Sequence, residues 1–225
     1  MMRLNLVVEG QTEEAFVRDL LRPHLLGFGV AATARCVRTG RKRGRDFRGG
    51  VVNYAKVRRD LTLWMREDQG PEAYFATFID LYRLPRDFPG YEATETAGDV
   101  HGRVSRIEKA FEADIAHHLG QFMPHIQPYE FEALLFARPA AFTLRFPDRA
   151  QRVATLTHTA AEFASPEHID DDEPPSKRIL STFADYDKTA DGPILAAEIG
   201  LCAMRDSCAH FGRWLARLEA IAQPS

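Results

Sequence analysis

The sequence has few cysteines and no long apolar run. Its three cysteines, Cys36, Cys202 and Cys208, form no C-x-x-C pair and cannot all pair within one chain. We therefore expect reduced thiols and a cytoplasmic location. No stretch approaches the ~20 apolar residues that a membrane helix needs, and the N-terminal apolar run of about six residues is too short for a secretory signal. The histidines are not at zinc-ligand spacings, so a zinc site is not expected.

Basic residues are concentrated in one segment. The net charge is −3, but residues 35–59 hold ten Lys or Arg and one acid, leaving 19 of the 29 basic and 31 of the 32 acidic residues elsewhere. Such a segment attracts a polyanion even on a mildly acidic protein, and its glycines allow close approach to a phosphate strand. We predict contact with DNA or RNA here; a solvated loop is the alternative. The predicted nucleic-acid-binding residues are Arg41, Lys42, Arg43, Arg45 and Arg48.

Strand-like and helix-like segments alternate over the first part of the chain. Residues 4–8 form a short apolar run, typical of a strand buried in a parallel sheet. Gly10 and Thr12 then mark a turn and a helix N-cap. Residues 74–79 are rich in aromatic and β-branched side chains and predict the strongest strand. Further strands are expected at residues 30–37 and 123–127, and amphipathic helices at residues 12–25, 51–65 and 107–119.

The order of these segments indicates the fold class. It predicts an α/β domain over residues 1–137, with a mainly parallel sheet flanked by helices. Beyond Pro139 the sequence contains no convincing strand. We therefore predict that residues 138–225 form a helical C-terminal extension packed on the first domain.

Two carboxylates follow directly on predicted strands. Val8 leads into Glu9, and Ile79 leads into Asp80. Ligands of open parallel sheets collect at the carboxyl ends of the strands, and carboxylate oxygens suit Mg²⁺ or Mn²⁺. If the two strands are neighbours, both side chains emerge at one sheet edge and can hold a cation that activates a phosphodiester. Solvent-exposed turn acids are the alternative interpretation.

Several short motifs, in this order along the chain, resemble the Toprim domain. The first two are Glu9-Gly10-Gln11-Thr12-Glu13 and Phe78-Ile79-Asp80-Leu81-Tyr82. Together with later motifs they look like a bacterial family of unknown function with a Toprim-like N-terminus. That family is often encoded beside an AAA-type or SMC-type ATPase and is related to Toprim nucleases of the overcoming-lysogenization-defect type. The later motifs are Phe88-Pro89-Gly90, YEFEALLF at residues 129–136, PSKRI at 175–179, IGL at 199–201 and CAHF at 208–211.

The resemblance implies roles for particular residues. Glu9 matches the Toprim glutamate, held to act as a general acid/base or as a metal ligand. Asp80 matches the first aspartate of the Asp-x-Asp motif, but Tyr82 stands where the second would be. Another acid must therefore complete the metal shell, and Glu13 or Glu130 is predicted to do so. Capping of the helix dipole is an equal alternative for Glu13.

Later residues extend the predicted site. Glu130 and Glu132 are two residues apart and cannot both face one helix surface; Glu130 is favoured because it comes first after the fourth strand. Lys177 and Arg178 begin a predicted helix and are candidates to bind phosphate, with solvent-facing charge as the alternative. His210 is expected to cap or pack against its helix.

The first functional hypothesis is a Mg²⁺- or Mn²⁺-dependent nuclease of the Toprim type that acts on DNA or RNA. The usual neighbours of the family imply an AAA- or SMC-type ATPase partner and defence against foreign DNA. The second hypothesis is a non-catalytic Toprim-fold adaptor or nucleic-acid-binding subunit of an ATPase complex, because Tyr82 replaces an acid. Nucleotidyl transfer of the primase kind ranks third, since the chain is short for two substrate modules. No membrane association is expected, and a homodimer is left open.

Overall fold

The computed structural model describes residues 1–42, 45–48, 50–92, 99–119, 121–169 and 172–223, without the side chains of residues 39–42, 45–48 and 116–119. Its strands are β1 Met2–Val8, β2 Val30–Cys36, β3 Arg38–Lys42, β4 Arg45–Arg48, β5 Ala73–Asp80, β6 Phe122–Met123 and β7 Ile126–Gln127. Its α-helices are α1 Gln11–Phe16, α2 Arg22–Leu26, α3 Tyr54–Glu67, α4 Val100–Leu119, α5 Phe142–Arg145, α6 Ala150–Ala161, α7 Pro175–Thr182, α8 Lys188–Ile199, α9 Leu201–Ser207 and α10 Ala209–Glu219. A π-helical turn spans Val17–Leu21, and 3-10 helices span Phe131–Ala137, Pro139–Ala141, Pro166–His168 and Ala220–Ala222.

The centre of the fold is a parallel sheet in which β1 lies between β2 and β5. The strand order is β2-β1-β5-β6, and β7 also pairs with β5. The pairs nearest the carboxyl end of β1 are Val8↔Cys36 and Val8↔Phe78. A central parallel strand is covered on both faces. Leu6 and Val7 of β1, which point to opposite faces, are accordingly both buried.

Helices cover both faces of this sheet. On one face, Val7 and Phe75 share a buried cluster with Phe111 of α4. On the other face, Phe78 packs on Trp214 of α10, with 5.6 Å between the ring centroids. The successive residues of each strand point to opposite faces, so both layers are built from the same apolar strands. The predicted α/β fold with a mainly parallel, helix-flanked sheet is confirmed.

The predicted helical character of the C-terminal part is also confirmed. Beyond Pro139, the described residues form helices and no strand. Phe211 and Leu218 of α10 belong to the same buried cluster as Leu4 of β1, so these helices share a core with the sheet. The domain boundary at residue 137 stays a prediction. Across the described ranges, none of the helices has the length and apolar character needed to cross a bilayer.

The prediction of one strand at residues 123–127 is wrong in its extent. Two short strands, β6 and β7, replace it, and both pair with β5. Pro124 between them has no N–H to offer the ladder. Thr77 of β5 bridges the gap, because its hydroxyl oxygen accepts a hydrogen bond from the His125 N–H at 3.1 Å. His125 is thereby fixed against the sheet.

The first helix begins earlier than the sequence suggested. Gly10 is the N-cap of α1, so the prediction of Thr12 as the N-cap is wrong. The Gly10 N–H donates to Oε2 of Glu13 at 2.8 Å, which satisfies a backbone donor that the helix itself leaves free. The π-helical turn then joins α1 to α2 into one continuous helix, as the apolar spacing predicted.

The basic segment forms an antiparallel hairpin, β3–β4, instead of the predicted loop. Both ends of the hairpin are attached to β1. The Val37 N–H donates to the carbonyl of Val8 at 2.9 Å, and the Gly50 N–H donates to the carbonyl of Glu9 at 3.1 Å. The hairpin therefore leaves and rejoins the fold at the carboxyl end of β1.

A substitution at Gly90 tests how closely the loop after β5 packs on α4. Gly90 has a φ of +79°, and a Cβ there would lie 2.9 Å from Ala110 Cβ and 3.0 Å from the Arg106 carbonyl oxygen. Gly200 has a φ of +81° but no atom within 4 Å of such a Cβ, so it is the matched control. Gly200 has φ +81° and ψ +153°, a conformation essentially restricted to glycine, so we expect Gly200→Ala to lower the free energy of unfolding by about 1–3 kcal/mol. Gly90→Ala should cost about 1–3 kcal/mol more, because overpacking adds to the backbone strain. Urea unfolding measures both, and equal losses would contradict the packing.

Candidate metal centre

The two predicted strand-end carboxylates, Glu9 and Asp80, lie side by side at the carboxyl edge of the sheet. Val8 and Phe78 are paired in register, and the Asp80 N–H donates to Oε2 of Glu9 at 3.1 Å. Glu9 is partly exposed, whereas Asp80 is buried. The parallel pairing thus brings together the two residues that the sequence selected. What they bind stays a prediction.

Both carboxylate oxygens of Asp80 have partners from later in the chain. Oδ1 accepts a hydrogen bond from the Phe131 N–H at 2.9 Å, at the start of a 3-10 helix. Oδ2 lies 3.6 Å from Nζ of Lys188. Asp80 is therefore held from one side by backbone and from the other by a cation.

Glu13 is buried at the start of α1, close to the same carboxylates. One of its oxygens accepts the Gly10 N–H, so the capping contact is present. After burial, its charge is the next cause that raises the pKa of Glu9. Capping and membership of the acidic centre are therefore compatible for Glu13.

Lys188, which the sequence did not single out, and Glu132, which it ranked behind Glu130, complete this centre. Lys188 is the first residue of α8, and its Nζ donates to Oε2 of Glu132 at 2.9 Å. Asp187 caps the helix by accepting from the Thr189 and Ala190 N–H groups. A lysine in the first turn of a helix opposes the helix dipole. That local anomaly is the one signal by which the sequence could have marked Lys188.

Glu130, the predicted choice for the acidic centre, is engaged elsewhere. Its Oε2 accepts from the Ser176 N–H at 2.8 Å, and its Oε1 accepts from the Ser176 hydroxyl at 3.0 Å. Both oxygens therefore hold the beginning of α7. Of the two glutamates, it is Glu132 that reaches the lysine. That Glu130 completes a metal shell stays a prediction.

Burial raises the pKa values of the acids in this centre. Burial, and next the charge of Glu13, raise the pKa of Glu9 to about 7, and burial raises the pKa of Glu132 to about 7. Burial also raises the pKa of Glu13 and takes that of Asp80 well above its usual range. Burial alone would lower the pKa of the Lys188 ammonium, but the charges of Asp80 and Glu132 raise it. One ammonium cannot neutralise four carboxylates, so the centre lacks positive charge.

The backbone beside the centre is strained. Arg83 and Tyr129 are non-glycine residues with φ of +60° and +57°. The Tyr82 N–H donates to the carbonyl of Tyr129 at 2.7 Å, which ties the two strained segments together. Such conformations cost about 1–3 kcal/mol each and cluster at functional sites. Tyr82, which replaces the second motif aspartate, is thus held in a defined loop next to Asp80.

The predicted nucleic-acid-binding residues lie in two places. Lys177 is exposed in α7. The Nε of Arg178 donates to the carbonyl of Glu173 at 2.6 Å, and its guanidinium lies 5.0 Å from the ring centroid of Phe163, so Arg178 takes part in local structure. Arg43 lies outside the described residues, as do the side chains of Arg41, Lys42, Arg45 and Arg48. Their contact with nucleic acid stays a prediction.

Comparison with known proteins gives one family and a few distant structural likenesses. A family model described as a domain of unknown function (DUF4276) matches residues 8–219. None of the curated proteins matches the chain. The C-terminal region of the Burkholderia pseudomallei OLD protein is similar at 18% identity and a TM-score of 0.47, over 99% of this chain and 100% of that one. The C-terminal region of the Xanthomonas campestris pv. campestris OLD protein is similar at 16% identity and a TM-score of 0.38, over 96% and 95%. Likenesses of this size carry no conclusion about function.

Replacing Lys188 tests whether the acids form a cation site. Lys188→Met leaves buried carboxylates without their ammonium, so we expect a stability loss of about 2 kcal/mol, or roughly 4–8 °C in Tm. Added MgCl₂ should raise the Tm of this variant more than that of the wild type, because the ion supplies the missing charge. Lys177→Met, at an exposed lysine, is the control and should change neither quantity. Equal responses of Lys188→Met and wild type to MgCl₂ would argue against a cation site here.

Proposed function

Since the chain belongs to the DUF4276 family, a domain of unknown function, we propose from its own geometry that it is a Mg²⁺-dependent phosphodiesterase of the Toprim type that acts on nucleic acid. The observation that best supports this is the contact between Glu9 and Asp80 at the carboxyl edge of a parallel sheet, where such folds bind their ligands. Glu13 and Glu132 add two buried carboxylates beside them.

The donor set fits a hard divalent cation. Glu9, Glu13, Asp80 and Glu132 offer carboxylate oxygens, which Mg²⁺ and Mn²⁺ prefer. Oε1 of Glu132 is buried and has no hydrogen-bond partner among the described residues. We assign these four residues, in place of Glu130, as the groups that would hold the ion. When bound, Mg²⁺ supplies positive charge that polarises a phosphodiester.

Two side chains of the centre can take part in the proposed reaction directly: Glu9 can transfer a proton, and Lys188 can bind a phosphate oxygen. Glu9 is partly exposed, so its carboxylate can take a proton from water or give one to a leaving oxygen. The side chain of Lys188 is 39% exposed, so its ammonium can also contact a phosphate oxygen that enters the centre. We therefore propose Glu9 as general acid/base and Lys188 as a phosphate-binding cation.

The position of the basic hairpin supports a nucleic-acid substrate. The hairpin is hydrogen-bonded to the fold at Val8 and Glu9, beside the acidic centre. Its strands carry five of the ten Lys and Arg of residues 35–59, namely Arg38, Arg41, Lys42, Arg45 and Arg48. A polyanion held by these residues would lie next to Glu9. Electrostatic attraction to phosphate does not distinguish DNA from RNA, and both are candidate substrates.

The biological setting is proposed from the motif resemblance alone. We propose an AAA- or SMC-type ATPase as partner and defence against foreign DNA as the role, because Toprim-like families with these motifs have such neighbours. Co-purification of the chain with an AAA- or SMC-type ATPase from its own host is the direct measurement.

A second candidate function is a non-catalytic adaptor that keeps the fold to bind nucleic acid or an ATPase. Tyr82 supports it, because a motif acid is missing there. Lys188 supports it as well, because its ammonium already contacts Asp80 and Glu132. A Glu9→Gln, Asp80→Asn double variant with full cellular activity would favour the adaptor over the enzyme.

Conservative replacements of the two strand-end acids test the enzymatic proposal. Glu9→Gln and Asp80→Asn each keep the side-chain shape but remove a charge, and we expect each to lower Mg²⁺-dependent cleavage by about 100-fold or more. Glu14→Gln, in the same first turn of α1 but outside the centre, is the matched control and should cleave like the wild type. Gel assays on single- and double-stranded DNA and RNA, with MgCl₂, MnCl₂ or EDTA, measure this. A folded wild type that cuts none of these, alone or with its ATPase partner, would refute the enzyme.

Charge removal in the hairpin tests the proposed substrate interface. Replacing Arg41, Lys42 and Arg43 by Gln should weaken nucleic-acid binding and reduce the slope of log Kd against log salt by about 0.7–0.9 for each phosphate that the protein no longer neutralises. Fluorescence anisotropy at several salt concentrations measures both effects. An unchanged slope would mean that the hairpin does not bind phosphate. The matched control replaces three exposed arginines outside the segment, namely Arg18, Arg66 and Arg152.

A further inference from the structure

A second group of metal-ligating side chains lies apart from the acidic centre. Glu108 belongs to α4, His125 to the connection between β6 and β7, and His210 to the first turn of α10. One ligand atom from each of the three lies within 4.8 Å of the other two. Because the residues are far apart in sequence, the spacing of the histidines did not reveal this group; the fold assembles it.

One oxygen of Glu108 is at the centre of the group. Oε1 of Glu108 is 2.8 Å from Nε2 of His210 and accepts the Ile126 N–H at 2.7 Å. The same oxygen lies 3.8 Å from Nδ1 of His125. Both imidazoles therefore direct a ring nitrogen toward one carboxylate.

The hydrogen bonds of His125 define which of its nitrogens is free to bind a cation. Nε2 of Gln127 donates to the Pro128 carbonyl at 3.4 Å, which leaves Oε1 of Gln127 facing Nε2 of His125 at 3.1 Å. His125 Nε2 therefore carries the proton, and Nδ1 has a lone pair. His125 is fully buried, and its Nδ1 has no hydrogen-bond partner among the described residues. A lone pair facing the Glu108 carboxylate is repelled unless a cation lies between them.

We propose that Glu108, His125 and His210 bind a zinc ion at a site separate from the acidic centre. Imidazole nitrogen and carboxylate oxygen are ligands that Zn²⁺ prefers, with water in the fourth position. Ligands at ~2 Å from a tetrahedral ion lie roughly 3.3 Å apart. The observed separations of 2.8 and 3.8 Å lie on either side of that value, so small side-chain shifts complete the site.

The surroundings of His125 favour such a site. The second ring nitrogen of His125 is already bonded to Gln127, which orients the ring as outer partners do in zinc sites. The rings of Trp214 and Phe78 lie 4.6 and 5.2 Å from the His125 ring and hold it in place. The ion would join α4, the sheet edge and α10. In that position it would fix the C-terminal helices on the sheet.

Zinc uptake by the full chain tests this proposal. Protein without an affinity tag is stripped with a chelator and titrated with ZnCl₂ against a chromophoric zinc indicator. The expected result is one Zn²⁺ per chain and a higher Tm on binding. Glu108→Gln and His210→Asn should each weaken zinc affinity about tenfold or more. His24→Asn is the matched control, because it removes a histidine that pairs with Glu219 at 2.6 Å elsewhere, and it should bind like the wild type.

Two further measurements distinguish this site from other zinc-binding groups. Cobalt-substituted protein should show the visible absorption of a four-coordinate site without thiolate charge-transfer bands, since none of the proposed ligands is cysteine. Asp80→Asn should keep full zinc uptake, because Asp80 belongs to the acidic centre. Folded wild type without stoichiometric zinc, unchanged affinity in Glu108→Gln and His210→Asn, or loss of uptake in Asp80→Asn would each overturn the proposal. Circular dichroism establishes that each protein is folded.

Discussion

The parallel pairing of β1 with β5 is the constraint on which the rest of the structure depends. Its register places Val8 beside Phe78, so the strands end together and Glu9 and Asp80 meet at one edge. The strands of a parallel sheet are buried on both faces, so functional side chains are accessible mainly at the strand ends. The basic hairpin is attached at that same edge, through backbone bonds to Val8 and Glu9. The acidic residues and the attachment points of the basic hairpin therefore lie at the same carboxyl edge of the sheet.

Buried charge then connects the sheet to the C-terminal helices. A carboxylate taken out of water needs a partner, and the partner of Asp80 and Glu132 is Lys188 from α8. Glu130 meets the same need by holding the beginning of α7 through Ser176. Each ion pair or hydrogen bond joins elements that are distant in sequence. The acidic centre and the C-terminal helices thus stabilise one another.

The interface between the sheet and α10 shows the same principle. Glu167 accepts the N–H groups of His210 and Phe211 and so caps the beginning of α10. The ring of His210 in turn contacts Glu108 of α4, and the ring of His125 stacks on Trp214. Polar side chains buried there are positioned by several elements at once, which is the arrangement that a metal ion or a rigid hydrogen-bond network requires.

Local pattern determined much of this protein. The apolar runs before Glu9 and Asp80 predicted two strands and the acids at their ends. This was possible because a buried strand needs apolar side chains at successive positions, a pattern that is visible in the sequence itself. The sequence did not reveal the break at Pro124 within one predicted strand, the hairpin in the basic segment, or the contact of Glu132 with Lys188. The group of Glu108, His125 and His210 depends on tertiary structure alone. Contacts between residues far apart in sequence leave no local periodicity, so only the folded chain decides which buried charges and ring nitrogens meet.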